Sequence, residues 1–161
     1  MKRTTLLVAV GVTVLALLVL VVGAALATTP SGVTATPLTR ATLGEIKAKN
    51  DGIQVKSVPG SADVALVQVT IEPGGSTGWH HHPGVVLVSV AAGTVTEYDE
   101  QCEQTVIQAG EGFVESRDEV HLVHNEGSVP AVLYVTFIVP TTTSPTGLTI
   151  SDPQPENCDK L

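Results

Sequence analysis

The histidines of this chain have a spacing that suits a metal site. They are His80, His81, His82, His121 and His124. Residues two apart in an extended strand point to the same face, so His80 and His82 can converge on one ion. His121 can join them from a second strand. The same parity predicts that His81 and His124 point away from that ion.

Three imidazoles suit a first-row divalent metal and leave coordination positions open for water or a substrate. If the protein is an enzyme, iron(II) is the favoured ion, because a three-histidine site with open positions suits oxygen activation; zinc, manganese, nickel and copper are alternatives. Binding should weaken as the pH falls through the histidine range near about 6.5, since only neutral imidazole donates a lone pair. The alternative interpretation is a set of unrelated surface and core histidines.

Short strands separated by turns are the elements that must position these side chains. The predicted strands are 53–58, 65–71, 85–90, 94–98, 104–108, 112–115, 119–123 and 131–139. Pro59-Gly60 and Pro83-Gly84 are typical turn signals between them. Strands at near-regular spacing, without a strong helical pattern, predict an all-β sandwich or barrel.

The N-terminal segment 1–27 has the pattern of an export signal. Lys2 and Arg3 precede an uncharged apolar run from Leu6 to Ala27. This segment is interpreted as a cleaved signal peptide or as an uncleaved transmembrane anchor. Either interpretation places the rest of the chain outside the cytoplasm, secreted or membrane-anchored. A buried core helix is a third interpretation, disfavoured because soluble helices normally show a polar face.

The remaining chain is predicted to contain one domain flanked by polar segments. We predict a linker over 28–48, a β-domain over 49–140 and a C-terminal tail over 141–161 that lacks a core pattern of its own. The cysteines are Cys102 and Cys158, and an even number in an exported chain predicts one disulfide, which would tether this tail. Two free thiols are the alternative.

The net charge of −8 argues against nucleic acid or an anionic lipid surface as a partner. The expected partner is a small-molecule ligand or substrate. Membrane contact is expected only through the N-terminal segment, if that segment is uncleaved. The oligomeric state is left open, with a homodimer as one option.

Two motifs around the histidines resemble those of the cupin superfamily over about residues 53–140. The first motif is Gly, five residues, His-X-His, three or four residues, Glu, six residues, Gly. The chain supplies Gly74, His80, His82, Val86 and Gly93, with valine in the glutamate position. The second motif is Gly, five residues, Pro-X-Gly, two residues, His, three residues, Asn. Here the chain supplies Gly110, Ser116, Asp118, His121 and Asn125, so that serine and aspartate replace the proline and the second glycine.

The resemblance implies a double-stranded β-helix, or jelly-roll barrel, after the N-terminal apolar helix, with a metal held by His80, His82 and His121. The usual carboxylate ligand is missing, because Val86 cannot bind an ion. Some cupin-like dioxygenases work with three histidines alone, and other members have lost metal and activity. Glu97 and Glu115 are candidate substitutes, but the spacing selects neither, and a solvated strand position is the simpler interpretation of each.

The predicted function is a metal-dependent oxygenase or isomerase acting on a small anionic substrate. An anionic ligand is expected because Val86 would leave the ion's full positive charge in the site. The alternative is a non-catalytic metal-binding or small-molecule-binding module outside the membrane. Trp79 and Tyr98 are candidate substrate contacts, with packing in or at the rim of the barrel as the alternative for each. Asn125 is expected to close a turn through its side chain.

Overall fold

The computed structural model of this protein describes residues 27–45, 47–49, 51–56 and 61–158. These residues are almost entirely β-structure, as the sequence predicts. Apart from Ala27, the predicted export segment lies outside the described residues. Within the described ranges, no helix is both long and apolar enough to cross a membrane.

Strands make up nearly all of the regular structure in the described part of the chain. They are β1 (Ser31–Leu43), β2 (Lys47–Lys49), β3 (Gln54–Lys56), β4 (Ala62–Ser76), β5 (His80–His81), β6 (Val85–Ala92), β7 (Thr94–Asp99), β8 (Gln104–Gln108), β9 (Gly112–Glu115), β10 (His121–His124), β11 (Ala131–Pro140) and β12 (Ile150–Ser151), followed by a 3-10 turn at Glu156–Cys158. Each predicted strand overlaps one of these, which confirms the pattern of short strands and turns.

One large antiparallel sheet curls around a common core. Its strand order is β12-β5-β10-β4-β11-β6-β9, with β1 beside β4, β7 beside β10 and β8 beside β7. Alternate residues of β4, β6 and β11 are buried, as expected when one face of each strand forms the interior. Those interior residues include Ala65, Val67, Ile71, Val86, Val88, Val90, Leu133, Val135, Phe137 and Val139.

Asn125 fixes the turn that joins β10 to β11, as the sequence predicts. It is fully buried, and its amide nitrogen donates to the carbonyls of Ile71 and Val129. Its side-chain oxygen accepts the backbone N–H of Gly127. The side chain thus satisfies buried backbone groups on β4 and within the turn.

Strand β1 lies where the sequence predicts a linker. It pairs with β4 along nearly its whole length, from Ser31 opposite Ser76 to Leu43 opposite Ala62. Its threonines and valine are β-branched residues, which favour strands. Pro37 is accommodated because β1 pairs only with β4 among the described strands, and because the register shifts between Pro37 and Thr39.

A small polar cluster holds β1 against β4 and the C-terminal tail. Asp63 of β4 accepts hydrogen bonds from Thr42 Oγ1 and from Arg40 Nε, each at 2.7 Å. Arg40 Nη2 also donates to the carbonyl of Thr143 at 2.7 Å. The hydrogen bonds from Thr42 and Arg40 lower the pKa of Asp63 and outweigh the opposing effect of its desolvation.

We expect Asp63→Asn to lower the free energy of unfolding at pH 7. The folded state lowers the pKa of Asp63 below its ordinary value of 3.8. The carboxylate therefore stabilises the fold at pH values above 3.8, and this stabilisation is lost as the pH falls through the pKa of the folded state. Urea unfolding at pH 7 and pH 3 measures the difference, which should shrink at pH 3. Asp118→Asn is the control, since its ion pair with Arg117 is exposed and should contribute little. An equal loss at both pH values would contradict this role for the charge.

Candidate metal centre

The three predicted ligands meet at one end of the barrel interior. His80 on β5 lies directly opposite His121 on β10, and His82 follows two residues after His80. All three side chains are buried. One ring nitrogen of each lies within 4.8 Å of a ring nitrogen of the others. Strand parity therefore brings together the triad that the sequence predicts.

The remaining two histidines lie outside this cluster, also as predicted. His81 Nδ1 pairs with Asp152 Oδ2 at 2.5 Å on the other side of β5. His124 Nδ1 lies 3.7 Å from Glu126 Oε1, and its side chain is one-third exposed. Each therefore has an acidic neighbour of its own away from the triad.

Backbone carbonyls fix the orientation of all three buried rings. The Nδ1 atoms of His80, His82 and His121 lie 2.8, 2.7 and 2.9 Å from the carbonyl oxygens of Gly78, Leu148 and Glu119. A carbonyl can only accept, so each Nδ1 carries a proton, and in the neutral ring each Nε2 offers its lone pair. Metal-binding histidines are held in this way in known sites.

Glu115 lies in the same cluster, which the sequence alone did not select. Its Oε2 is 3.1 Å from His82 Nε2 and its Oε1 is 3.0 Å from His121 Nε2. The interpretation of this residue as solvated is wrong, because Glu115 is only 4% exposed. Burial would raise its pKa, but His121 and His82 outweigh this effect and lower the pKa to about 2.

The other candidate carboxylate, Glu97, occupies a different position. It lies on β7 opposite Val123 and is partly buried. Burial, together with the charge of Glu115, raises the pKa of Glu97 to about 7. Among the described residues, His82 and His121 form ion pairs with Glu115 and not with Glu97.

The donor atoms of this cluster fit a cation. His121 Nε2 is buried and lacks a hydrogen-bond partner of suitable geometry, although it lies 3.0 Å from Glu115 Oε1. A neutral Nε2 and a carboxylate oxygen are both acceptors, so their approach is favourable only with a proton or a cation between them. Burial, with the nearby His121 and His82, lowers the pKa of His80 to about 3, which leaves that ring neutral. Although burial opposes it, Glu115 raises the pKa of His121.

An apolar chamber opens beside this polar cluster. Its volume is about 310 Å³, within the range of small-molecule sites. The apolar lining includes Val67, Val69, Val88, Leu133, Val135 and Phe137, and the polar end contains His80, His82 and Glu115. A carboxylate already at this end offsets part of an ion's charge. The expectation that the ion keeps its full charge rested on Val86 alone and did not include this carboxylate.

Comparison with known sequences places this geometry in a family. Residues 67–137 match the sequence profile of the cupin domain, and this stretch includes all three histidines, Glu115 and most of the interior strands. Over residues 67–137 this chain is similar to the cupin superfamily. Its curled antiparallel sheet is the jelly-roll fold that the sequence motifs predict.

Individual proteins similar to this chain include a plant protein and several solved structures. Germin-like protein 5-1 of Oryza sativa subsp. japonica is 33% identical over 105 residues, covering 58% of this chain and 46% of the rice protein. The chain thus spans about half the length of that relative. A structure from work on the mechanism of oxalate oxidase is 27% identical, covers 48% of this chain and 46% of its own, and has a TM-score of 0.42. The Cupin_2 domain of an XRE family transcriptional regulator from Enterobacter cloacae is 14% identical, covers 68% and 97%, and has a TM-score of 0.46.

Trp79 and Tyr98, predicted as candidate substrate contacts, do not line the chamber of this cupin domain. They are buried in a separate cluster with Cys158. Trp79 lies in a bend directly before His80 and directly after Gly78, whose φ is positive. Tyr98 donates to Glu126 Oε1 at 2.6 Å, and this hydrogen bond, reinforced by desolvation, raises its pKa to about 12. A role of either residue in contacting a substrate stays a prediction.

The C-terminal tail forms part of the metal centre. Strand β12 pairs with β5, placing Ser151 opposite His80. Leu148 supplies both the carbonyl that orients His82 and an apolar side chain in the chamber wall. Sequence patterns did not show this, because the tail contributes backbone groups and few apolar side chains.

The predicted disulfide tethers this tail. Cys102 is bonded to Cys158, with their Cα atoms 5.6 Å apart, and Cys158 is buried beside Trp79. Because Trp79 is next to His80, the disulfide holds the tail close to the first histidine of the triad.

We expect the double variant Cys102→Ala/Cys158→Ala to unfold at lower denaturant concentration than the parent. The bond spans a sequence separation of 56 residues, which corresponds to about 4 kcal/mol in the chain-entropy account. Equilibrium unfolding of both proteins, each with and without a reductant, measures this contribution. The reductant should shift the parent towards the variant and leave the variant unchanged. Parent and variant that unfold alike without reductant would refute the tether.

Proposed function

We propose that this cupin-domain protein is a metal-dependent enzyme, an oxygenase or an isomerase, that acts outside the cytoplasm on a small molecule. The observation that carries the proposal is the convergence of three buried imidazoles at the polar end of an apolar chamber. His80, His82 and His121 would hold the ion through Nε2, with iron(II) favoured. The bound metal would supply Lewis acidity and, for iron, oxygen chemistry.

The chain's own contribution is to orient the donors and to exclude water. The three Nδ1–carbonyl hydrogen bonds hold the rings with their lone pairs turned inward. The apolar chamber wall lowers the local dielectric, which strengthens electrostatic interactions between a bound ligand and the polar end.

Two features support a location outside the cytoplasm. The segment 1–27 has the sequence pattern of a signal peptide or a membrane anchor. The Cys102–Cys158 disulfide suits an oxidising compartment. Mass spectrometry of the native protein tests whether segment 1–27 is cleaved.

The chamber favours a ligand with one polar head and an apolar body. The titratable residues of its lining are His80, His82 and Glu115 of the metal cluster, and no lysine or arginine is among the described lining residues. A ligand with a single carboxylate, thiolate or enolate can place that head at the ion while its apolar part contacts Val67, Val135 and Phe137. A dicarboxylate too long for both groups to chelate the same ion would leave its second charge without a partner in the apolar part of the chamber.

A non-catalytic binding module is the second candidate function. The titratable residues that line the chamber are His80, His82 and Glu115, all in the metal cluster. No separate side chain in that lining is therefore placed as a general acid or base. A protein that only holds a metal or a small molecule needs no such group.

We expect the full-length protein, purified in mild detergent and stripped of metal, to bind one first-row divalent ion per chain. Calorimetric titration with iron(II), zinc and manganese measures the affinity. His82→Ala should abolish tight binding because it removes a donor, whereas His124→Ala, the matched control, should retain it. No binding by the parent, or equal loss in the two variants, would exclude this site.

The ligand can be characterised with the cobalt(II) form, whose visible absorption reports changes in coordination. We expect straight-chain monocarboxylates to bind more tightly with each added methylene, because added methylenes bury apolar surface in the chamber. Straight-chain α,ω-dicarboxylates of the same length should bind more weakly, because their second charge would be buried against the apolar wall. Val67→Thr should reduce the gain in affinity for each added methylene, because Val67 lines the chamber. Val114→Thr, on the exposed outer face, should leave that gain unchanged. A series without length dependence would contradict an apolar ligand.

Oxygen uptake separates the two candidate functions. The iron-loaded protein, supplied with the ligands that perturb cobalt absorption, should consume oxygen if it is an oxygenase. Tight binding without oxygen uptake or isomerisation of those ligands would favour the binding module.

A further inference from the structure

We infer that Glu115 is a fourth metal ligand, which replaces from the neighbouring strand the glutamate that the first cupin motif places at Val86. This inference rests on the proposed metal binding by the three histidines and extends it. The donor set would then be three imidazoles and one carboxylate, with the carboxylate entering from β9 in place of β6.

The strand register makes this relocation possible. Glu115 of β9 lies directly opposite Val86 of β6, and both residues are buried on the interior face. Directly opposed residues of an antiparallel pair have Cβ atoms about 4.5–5.5 Å apart. A glutamate side chain is long enough to bridge that separation, so a carboxylate can reach one common point from either strand.

The contacts of Glu115 distinguish a ligand from a residue that only orients the histidines. An orienting carboxylate accepts from the ring nitrogen that does not bind the metal. In His82 and His121 that nitrogen is Nδ1, which already donates to a backbone carbonyl. Glu115 instead approaches Nε2 of both rings, so its oxygens lie on the side of the ring nitrogens from which an ion would be bound.

The burial of Glu115 also calls for a cation. A buried carboxylate is costly unless it is paired with positive charge. In the described part of the chain its ion pairs are with His82 and His121, which are cationic only if protonated. A divalent ion among these groups would pair the carboxylate and also engage His121 Nε2, which has no hydrogen-bond partner.

The relocation explains why valine is compatible with position 86. A second glutamate there would place two carboxylates opposite each other on one interior face, and like charges in opposed positions are destabilising. Val86 is instead fully buried in the apolar core. We therefore expect a glutamate at position 86 or at position 115, but not at both.

Three variants of the full-length protein test this inference. Glu115→Gln keeps the side-chain shape and removes the charge, and the exchange Val86→Glu/Glu115→Val returns the carboxylate to the motif position. Glu103→Gln, on the exposed surface, controls for net charge. Calorimetry with manganese(II) and zinc measures affinity, cobalt(II) absorption reports the coordination sphere, and circular dichroism confirms folding.

We expect Glu115→Gln to bind these ions at least about tenfold more weakly and to change the cobalt spectrum, because a coordinating oxygen anion is lost. The exchange variant should recover most of the affinity, and Glu103→Gln should match the parent.

Parental affinity and spectrum in Glu115→Gln would overturn the inference. So would weakened binding with an unchanged cobalt spectrum and no recovery in the exchange variant, because that result marks a positioning residue. If Glu115→Gln fails to fold, the metal affinity and the cobalt(II) spectrum of the exchange variant decide the question. A variant that lost both the affinity and the parental spectrum would count against the inference. Failure of the parent itself to bind metal would instead refute the proposed function.

Discussion

The structure depends on satisfying a polar cluster buried at the end of an apolar barrel. Each ring of the triad donates through Nδ1 to a backbone carbonyl, and those carbonyls belong to Gly78, Glu119 and Leu148. A buried polar group without a partner costs about as much as a lost hydrogen bond, so all three segments must be in place together. The same hydrogen bonds leave the Nε2 atoms facing inward, and folding therefore prepares the metal centre.

The C-terminal tail shows how far this requirement extends along the chain. Its composition gives it no apolar core of its own, yet the Leu148 carbonyl is the acceptor that orients His82. The links that keep the tail in place include the disulfide at Cys158, the pairing of β12 with β5 and the hydrogen bond from Arg40 to the Thr143 carbonyl. Because Arg40 is on β1, the strand in the predicted linker is also coupled to the metal centre through the tail.

Strand parity is a local property, and it accounts for what the sequence predicted well. The spacing of His80 and His82 places both rings on one face, and the same rule sends His81 to the other. Parity does not tell which strands are neighbours, so the sequence did not show that Glu115 lies opposite Val86. It likewise did not show that Ser31–Leu43 pairs with β4, because a Thr-rich edge strand resembles a linker in composition.

The burial of Glu115 depends on contacts with residues that are far from it in the sequence. Alternation along β9 was the one available signal, since Phe113 and Glu115 share a face and Phe113 packs against the core. A glutamate at the next position on an apolar face is normally solvated, and only the convergence of His82 and His121 makes its burial favourable.

The position of that carboxylate changes the electrostatics of the whole chamber. With Val86 alone, an ion would present its full charge to a ligand, whereas a carboxylate from Glu115 at the same end reduces the net charge by one. The chamber wall is apolar and supplies no compensating cation among its lining residues. A low dielectric strengthens both the attraction of the ion for one anionic group and the cost of burying a second. Under the proposed function, selectivity would therefore depend jointly on the polar end, which would accommodate a single charge, and on the apolar wall, which would stabilise the rest of the ligand through buried surface.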